Sequence, residues 1–355
     1  GRLRIVSPAP VLMGRSNALA TSVYRVLMVI CGAAAALLLS EVFVRLFVPV
    51  RAVGPIFSEY HPVYGQTLKK SFSARRVTSE FSVRFSTNAR GFRGSELTEY
   101  GVRPILCIGD SFTMGYGVSD GEEFPALLRG LLAEKVGAAS FPVVNAGVGA
   151  IGNGIWVKFL QREAGGLNPR LVVLQLCEND IRDNRREGLF SLSTQGILIE
   201  NPPPPPPSER RIQRMLDAVP GLSYSYLISL VKQAWYRHVT LARSRPDADS
   251  PRPTIELSLQ IWDEIIRICD EHDWPLLVML VEFKDPQLGR ARRLFEERGI
   301  PVLEAPSKGA RPELYYRIDG HWNREGHRLI ARQVSERIKV DFPGILDEAR
   351  LETGR

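Results

Sequence analysis

The sequence predicts an α/β fold, a parallel β-sheet covered by helices on both faces, carried behind an N-terminal transmembrane helix. Three observations lead there. From Pro104 onward, short apolar runs alternate with segments of helical periodicity, and repeated β-α units need crossover helices that make the strands parallel. The first run, Ile105 to Ile108, stops abruptly in Gly109-Asp110-Ser111, which puts polar groups at the tip of a buried strand. Near the start of the chain, Val26 to Leu39 is unbroken apolar sequence.

That last run is extended past Ser40 and Glu41 by Val42-Phe43-Val44, to a length near the ~20 residues that cross a bilayer. Residues 1–25 then form a cytoplasmic segment and residues 26–47 a transmembrane anchor. Glu41 falls near the end of the span, four residues before Arg45, where it can pair and snorkel. The edge Leu37-Leu38-Leu39-Ser40-Glu41 has no small-x-small cleavage site, which favours an uncleaved anchor over a removed signal peptide. Arg2, Arg4, Arg15 and Arg25 precede the span and Arg45 and Arg51 follow it; the positive-inside bias directs the main domain out of the cytoplasm. The chain begins at Gly1, and Met13 is a candidate for the natural first residue.

Residues 48–103 read as a connector with short β elements. Its period-two pattern at Phe81, Val83 and Phe85 suggests a hairpin or edge strand, and Asn88-Ala89-Arg90-Gly91-Phe92-Arg93-Gly94 closes it in a turn. The main domain spans 104–345. After the first strand comes a helix bearing Phe124, Leu127, Leu128, Leu131 and Leu132, with Asp120 expected as its N-cap. Strands follow at Pro142–Asn145 and Leu171–Cys177, separated by a helical face of Ile155, Trp156, Phe159 and Leu160. A helix over about 254–272, strands at Leu276–Phe283 and Pro301–Leu303, and a last helix after Asn323 complete the alternation, with 346–355 a tail. Residues 185–253 interrupt it with six prolines after Asn201 and a helix bearing Leu227, Leu230, Val231, Ala234 and Trp235. This stretch is either a surface insertion or a lid over a site at the preceding strand end.

With Lys and Arg numbering 46 against 39 Asp and Glu, the charge is +7, scattered and not gathered into a basic tract with aromatics. Nucleic-acid binding is accordingly disfavoured. Cys31, Cys107, Cys177 and Cys269 each lie in apolar runs without CxxC spacing, and read as structural thiols rather than disulfides or a zinc site.

Ligands of open parallel sheets bind at the carboxyl ends of the strands. Three ends are polar here: Ser111, then Asn145-Ala146-Gly147-Val148-Gly149-Ala150, then Glu178-Asn179-Asp180; Asp319-Gly320-His321-Trp322-Asn323 precedes the last helix. Serine, histidine and aspartate are the parts of a nucleophile, base and orienter, and a buried Asn amide with backbone N–H groups makes an oxyanion hole. In an extended segment residues i and i+2 share a side, so Asp319 can reach one nitrogen of His321 and leave the other for Ser111.

Gly109-Asp110-Ser111, Asn179-Asp180 and Asp319-x-His321-x-Asn323, in this order over about two-thirds of the chain, resemble the SGNH/GDSL hydrolase superfamily. The Asn88–Gly94 turn and single N-terminal span are similar to its membrane-anchored bacterial branch. The resemblance implies a three-layer flavodoxin-like fold in which Ser111 is the nucleophile and donates its own N–H, His321 is the base and Asp319 its partner. It also implies an oxyanion hole completed by Asn179 and by Ala150 or Gly149, since the family's glycine aligns with Ala150. The family usually has two residues between Asp and His. The single residue here is similar to SGNH-like proteins of exopolysaccharide O-acetylation, which points toward an acylated carbohydrate. A serine esterase or O-acyltransferase of the bacterial inner membrane is therefore expected, single-pass, with its catalytic domain on the periplasmic side and no metal or organic cofactor. The competing expectation is a non-catalytic glycan-binding or scaffold protein of an envelope polysaccharide system.

Other motifs compete for notice. Gly147-Val148-Gly149-Ala150-Ile151-Gly152 fits a dinucleotide fingerprint, with Glu178 as its ribose acid, but that reading leaves Ser111 and Asp319-x-His321 unexplained. Asp110 and Asp180 read as strand-end hydrogen-bonding residues, His327 as a capping or packing residue, and His238 and His272, beside helical apolar faces, as partly buried or surface histidines. Trp322 is expected either to stack on a sugar or to fill the core.

Overall fold

A computed structural model describes residues 14–50, 52–96, 103–138, 141–206, 209–219, 221–243 and 255–353. Helix α1 (Gly14–Phe47) contains the apolar run, and its stretch Ala20–Phe47, with mean hydropathy 2.3, is long and apolar enough to cross a membrane. By length and composition it is a candidate anchor or signal sequence. Arg2, Arg4, Met13 and Arg51 lie outside the described residues.

Two antiparallel hairpins follow, β1 (Ser58–His61) with β2 (Gly65–Leu68) and β3 (Ser73–Val77) with β4 (Ser82–Ser86). The second matches the period-two expectation. The first has no apolar alternation for such a signal to report. Residues 48–96 do more than connect: Phe57, Tyr64, Leu68, Phe85 and Phe92 are buried in the same core as the central sheet, with Phe57 stacked on Phe85 at 4.1 Å.

The α/β unit runs β5 (Ile105–Ile108), α2 (Ser111–Met114), α3 (Phe124–Val136), β6 (Val143–Asn145), α4 (Gly154–Arg162), β7 (Leu171–Cys177) and α5 (Asp180–Glu187). A hairpin, β8 (Phe190–Leu192) with β9 (Leu198–Glu200), leads through the prolines to α6 (Glu209–Ala218) and α7 (Tyr226–Arg243). The unit resumes with α8 (Glu256–Glu271), β10 (Leu276–Val281), α9 (Gln287–Glu296), β11 (Val302–Glu304), α10 (Arg324–Asp341) and α11 (Pro343–Thr353). The five-stranded sheet is wholly parallel in the order β11-β10-β7-β5-β6, the flavodoxin-like arrangement.

Alternation along each strand makes the three layers. Leu106, Ile108, Val172, Leu174, Val278 and Leu280 face α4, α8 and α9 in one core. Ile105, Cys107, Leu171, Val173, Leu277 and Met279 face α3, α10 and α11 in the other. Cys107, Cys177 and Cys269 are buried free thiols, while Cys31 on α1 is exposed.

Two local expectations are corrected. Asp120 does not cap α3: its carboxylate accepts from Ser86 N at 2.9 Å and pairs with Arg93 at 3.4 Å. His327, buried on α10, accepts the Phe124 N–H through Nδ1 instead, and burial pulls its pKa down to about 3, keeping it a neutral acceptor. Nor do 346–353 form a loose tail. Pro343 opens a new helix, and Ile345, Leu346 and Ala349 bury one face of α11 in the core shared with α3.

Candidate active site

A cavity of about 560 Å³ opens at the carboxyl ends of the strands, lined by Ser111, Gly149, Ala150, Asn179, Asp319 and His321 among others. It lies where strand order reverses, between β5 and β7, the topological switch point at which such sheets bind ligands. The residues expected from sequence to form the site meet here, although up to 210 positions separate them.

Ser111 opens α2 immediately after β5 and its tight turn is held from three sides. Asp110 accepts from Phe112 N at 2.9 Å. Gln175, buried in mid-β7, accepts from Asp110 N at 3.0 Å and from the Thr113 hydroxyl at 3.0 Å. Arg93, fully buried over the Phe85 ring, donates to the carbonyls of Met114 and Val118, both at 2.7 Å. For Gln175 and Arg93 the sequence offers only a weak signal, a lone amide inside the apolar run Leu171–Cys177 and an arginine within a turn.

Ser111 Oγ lies 2.7 Å from His321 Nε2, and His321 Nδ1 is bonded to the Asp319 carboxylate. The route to this pair differs from the extended segment expected: Asp319 sits in a turn, and Gly320 takes a φ of +89°, a left-handed conformation that a side chain would strain. The His321 ring lies between those of Phe112 and Tyr116, each 5.0 Å away. From the β3–β4 turn, Glu80 accepts from the backbone N–H of Ile318 at 3.0 Å and of Asp319 at 2.7 Å, a contact with no sequence signal.

On the opposite wall, Asn179 Nδ2 donates to Asp183 at 3.0 Å, which orients the amide at the cavity edge. The Gly149 carbonyl accepts from Gln66 Nε2 at 2.8 Å and the Ala150 carbonyl from Arg186 at 3.0 Å, so the loop is pinned from both sides, with Ala150 at a φ of +60°. A side chain at Gly147 would run into the backbone of Thr113 and Met114; this glycine therefore serves packing against α2, whatever its fit to a dinucleotide fingerprint. Asp110 and Asp180 are buried hydrogen-bonding residues, Asp180 accepting from Cys177 N at 2.8 Å and Asn153 Nδ2 at 2.9 Å. Burial, with the nearby Asp110 charge, pushes the Asp180 carboxyl well above the usual range. Trp322 is 1% exposed and packs edge-on against Phe112 and Phe124, so it fills the core and is withheld from any sugar.

The N-terminal hairpins and the residues just before them supply Ile56, Phe57, Ser58, Leu68 and Arg76 to the cavity wall. Of 185–253, only Arg186 lines it among the described residues.

Solved structures similar to this chain are distant in sequence. One, described as lipolytic and of the G-D-S-L family, is from Desulfitobacterium hafniense: 12% identity, TM-score 0.39, covering 66% of this chain and 99% of that one. Another, from Bacteroides fragilis and described as an acylhydrolase, has 10% identity and TM-score 0.38 over 68% of this chain and 88% of its own. A third, a two-domain esterase active on acetylated mannans and crystallised with mannopentaose, has 14% identity and TM-score 0.33 over 66% of this chain and 48% of its own. No curated protein matches in sequence. The model of the GDSL-like lipase/acylhydrolase family matches residues 107–329, more than half of the chain. That match runs from the strand before Ser111 to beyond His321, and the chain accordingly belongs to the GDSL-like lipase/acylhydrolase family, as an enzyme that hydrolyses esters.

Proposed function

We propose that the chain is a membrane-anchored serine esterase or O-acyltransferase that works through an acyl-enzyme on a short-chain ester, with an acylated carbohydrate as substrate. The observation that carries the reading is the contact series Ser111 Oγ, His321 Nε2 at 2.7 Å, and Asp319 on His321 Nδ1. Ser111 Oγ attacks the ester carbonyl while His321 Nε2 takes its proton. The oxyanion is held by the N–H of Ser111, the N–H of Gly149 or Ala150, and the Asn179 amide. His321 then protonates the leaving alcohol. Water releases the acyl group in hydrolysis, and a sugar hydroxyl releases it in transfer. The carbohydrate assignment draws support from the one-residue Asp319-x-His321 spacing, the apolar helix α1 supports a single-pass anchor, and the arginines ahead of it, by the positive-inside bias, support a domain outside the cytoplasm of a bacterial inner membrane.

Fluorophosphonate labelling tests the reading: the wild type should label, Ser111→Ala should not, and an inert wild type that folds normally would overturn it. Asn179→Ala is expected to lower kcat by about 10²–10³ with KM little changed, measured on an aryl acetate; an unaltered kcat would remove Asn179 from the oxyanion hole.

Glu80 is assigned as a positioning residue, holding the backbone that carries Asp319. Glu80→Ala should lower kcat by roughly 10- to 100-fold at similar KM, because small misplacements of a catalytic group are that costly. Glu80→Gln should restore most of the rate, since one oxygen, Oε2, already accepts from both Ile318 N at 3.0 Å and Asp319 N at 2.7 Å. Equal losses in the two variants would refute this role.

A further inference from the structure

Among the described residues of the insertion only Arg186 reaches the cavity, and α6 and α7 make their contacts elsewhere. Glu41, near the end of α1, accepts three hydrogen bonds from the start of α7: Ser225 Oγ at 2.7 Å, Tyr226 N at 2.8 Å and Leu227 N at 2.9 Å. Arg45, one turn on, pairs with Glu41 at 3.7 Å and lies over the Tyr226 ring at 4.8 Å. Below these polar contacts Val44, Val50 and Val53 are buried with Leu227 and Leu230 packed against them. An acidic residue in an apolar helix is costly in lipid unless it is partnered; here it caps another helix. Residues 209–243 are tied in turn to the segment that carries the hairpins, through Lys69 to Asp217 at 3.2 Å and Gly54 N to the Ser223 carbonyl at 2.9 Å, and α6 is tied to α7 by Lys232 to Gln213 at 2.8 Å.

This region is also where apolar surface is left uncovered. Outside α1, nine large apolar side chains stand exposed among the described residues, and five of them belong to 209–235: Ile212, Met215, Val219, Val231 and Trp235. Ile212, Met215 and Val219 follow i, i+3, i+7 spacing along α6 and just past its end, and Val231 and Trp235 are one turn apart on α7, so each set forms a stripe. The sequence of 209–243 carries Arg210, Arg211, Arg214, Lys232, Arg237 and Arg243 against Glu209 and Asp217. Apolar stripes on basic helices are the pattern of elements that lie in the headgroup region of an anionic bilayer.

We infer that α6 and α7 form a membrane-surface module, latched to the end of the anchor by Glu41, whose two apolar stripes rest in the lipid surface. This rests on the anchoring reading of α1. The exposed α1 side chains Leu39 and Phe43 flank Glu41, and Leu46 and Phe47 follow it at the end of the helix, so the latch brings the start of α7 to the level of the last turns of α1, where the anchor leaves the bilayer. The catalytic domain, bonded to the same module, is thereby fixed in one orientation over the membrane and not tethered loosely.

The test uses the full chain reconstituted in vesicles of phosphatidylethanolamine and phosphatidylglycerol. Cys31→Ser removes the exposed thiol, and spin labels are placed singly at Met215→Cys, Val231→Cys, Phe43→Cys on the anchor and Val340→Cys, an exposed position on α10. Accessibility to oxygen and to a water-soluble nickel chelate is then compared. Labels at 215 and 231 should match the lipid-facing label at 43; a match to the label at 340 overturns the inference. A water-exposed label at 43 would overturn the anchor and the module together, which separates the two failures. Glu41→Leu should move the label at 231 toward the water value while aryl acetate hydrolysis stays within about twofold, and an unmoved label would refute the latch.

Discussion

Ser111→Ala is expected to lower kcat on an aryl acetate by about 10⁶, the loss seen when the nucleophile of such a relay is removed. The substitution deletes one half-buried hydroxyl at the cavity, while Arg93, Gln175 and Asp110 go on holding the turn, so the fold should persist. Unchanged near-ultraviolet circular dichroism and melting temperature would establish that. Because Ser111 and His321 act as one unit, the double variant Ser111→Ala, His321→Ala should be no worse than either single one. Any rate left above the uncatalysed reaction belongs to substrate binding and the oxyanion donors. Turnover retained within tenfold of wild type would sink the proposed nucleophile, and with it the acyl-enzyme.

The second large effect is Asp319→Asn, for which a loss of about 10⁴ in kcat is expected. Asparagine keeps the shape, yet its amide can donate to His321 Nδ1 and select the tautomer protonated on Nε2. That nitrogen, 2.7 Å from Ser111 Oγ, could then no longer take the serine proton. KM should change little, because Asp319 acts on the imidazole and not on the bound ester. A loss below about tenfold would show that the short Asp319-x-His321 spacing does not produce an orienting pair.

What the sequence by itself determined about this enzyme is what short-range signals can carry. Alternation along β5, β7 and β10 divided their side chains between two cores, and the breaks at Gly109-Asp110-Ser111 and Glu178-Asn179-Asp180 marked the strand ends where a parallel sheet gathers its chemistry. The meeting of Asp319 with His321 was also legible, although a turn at Gly320, and no extended strand, brings it about.

Tertiary structure alone decided the support around these residues. Glu80 and Asp319 are 239 positions apart, Gln175 and Asp110 are 65 apart, and Glu41 and Tyr226 are 185 apart; no periodicity reports such pairs. Asp120 looked like a cap because it precedes a helix, yet buried Arg93 and the Ser86 N–H claim its carboxylate. Trp322 stands beside the base in sequence, but its indole fills the core against Phe112 of α2 and Phe124 of α3. Local pattern sets which face a residue presents. Which partner waits on that face depends on chain closure over hundreds of residues, and only the packed fold brings hairpin, sheet and insertion within hydrogen-bonding distance.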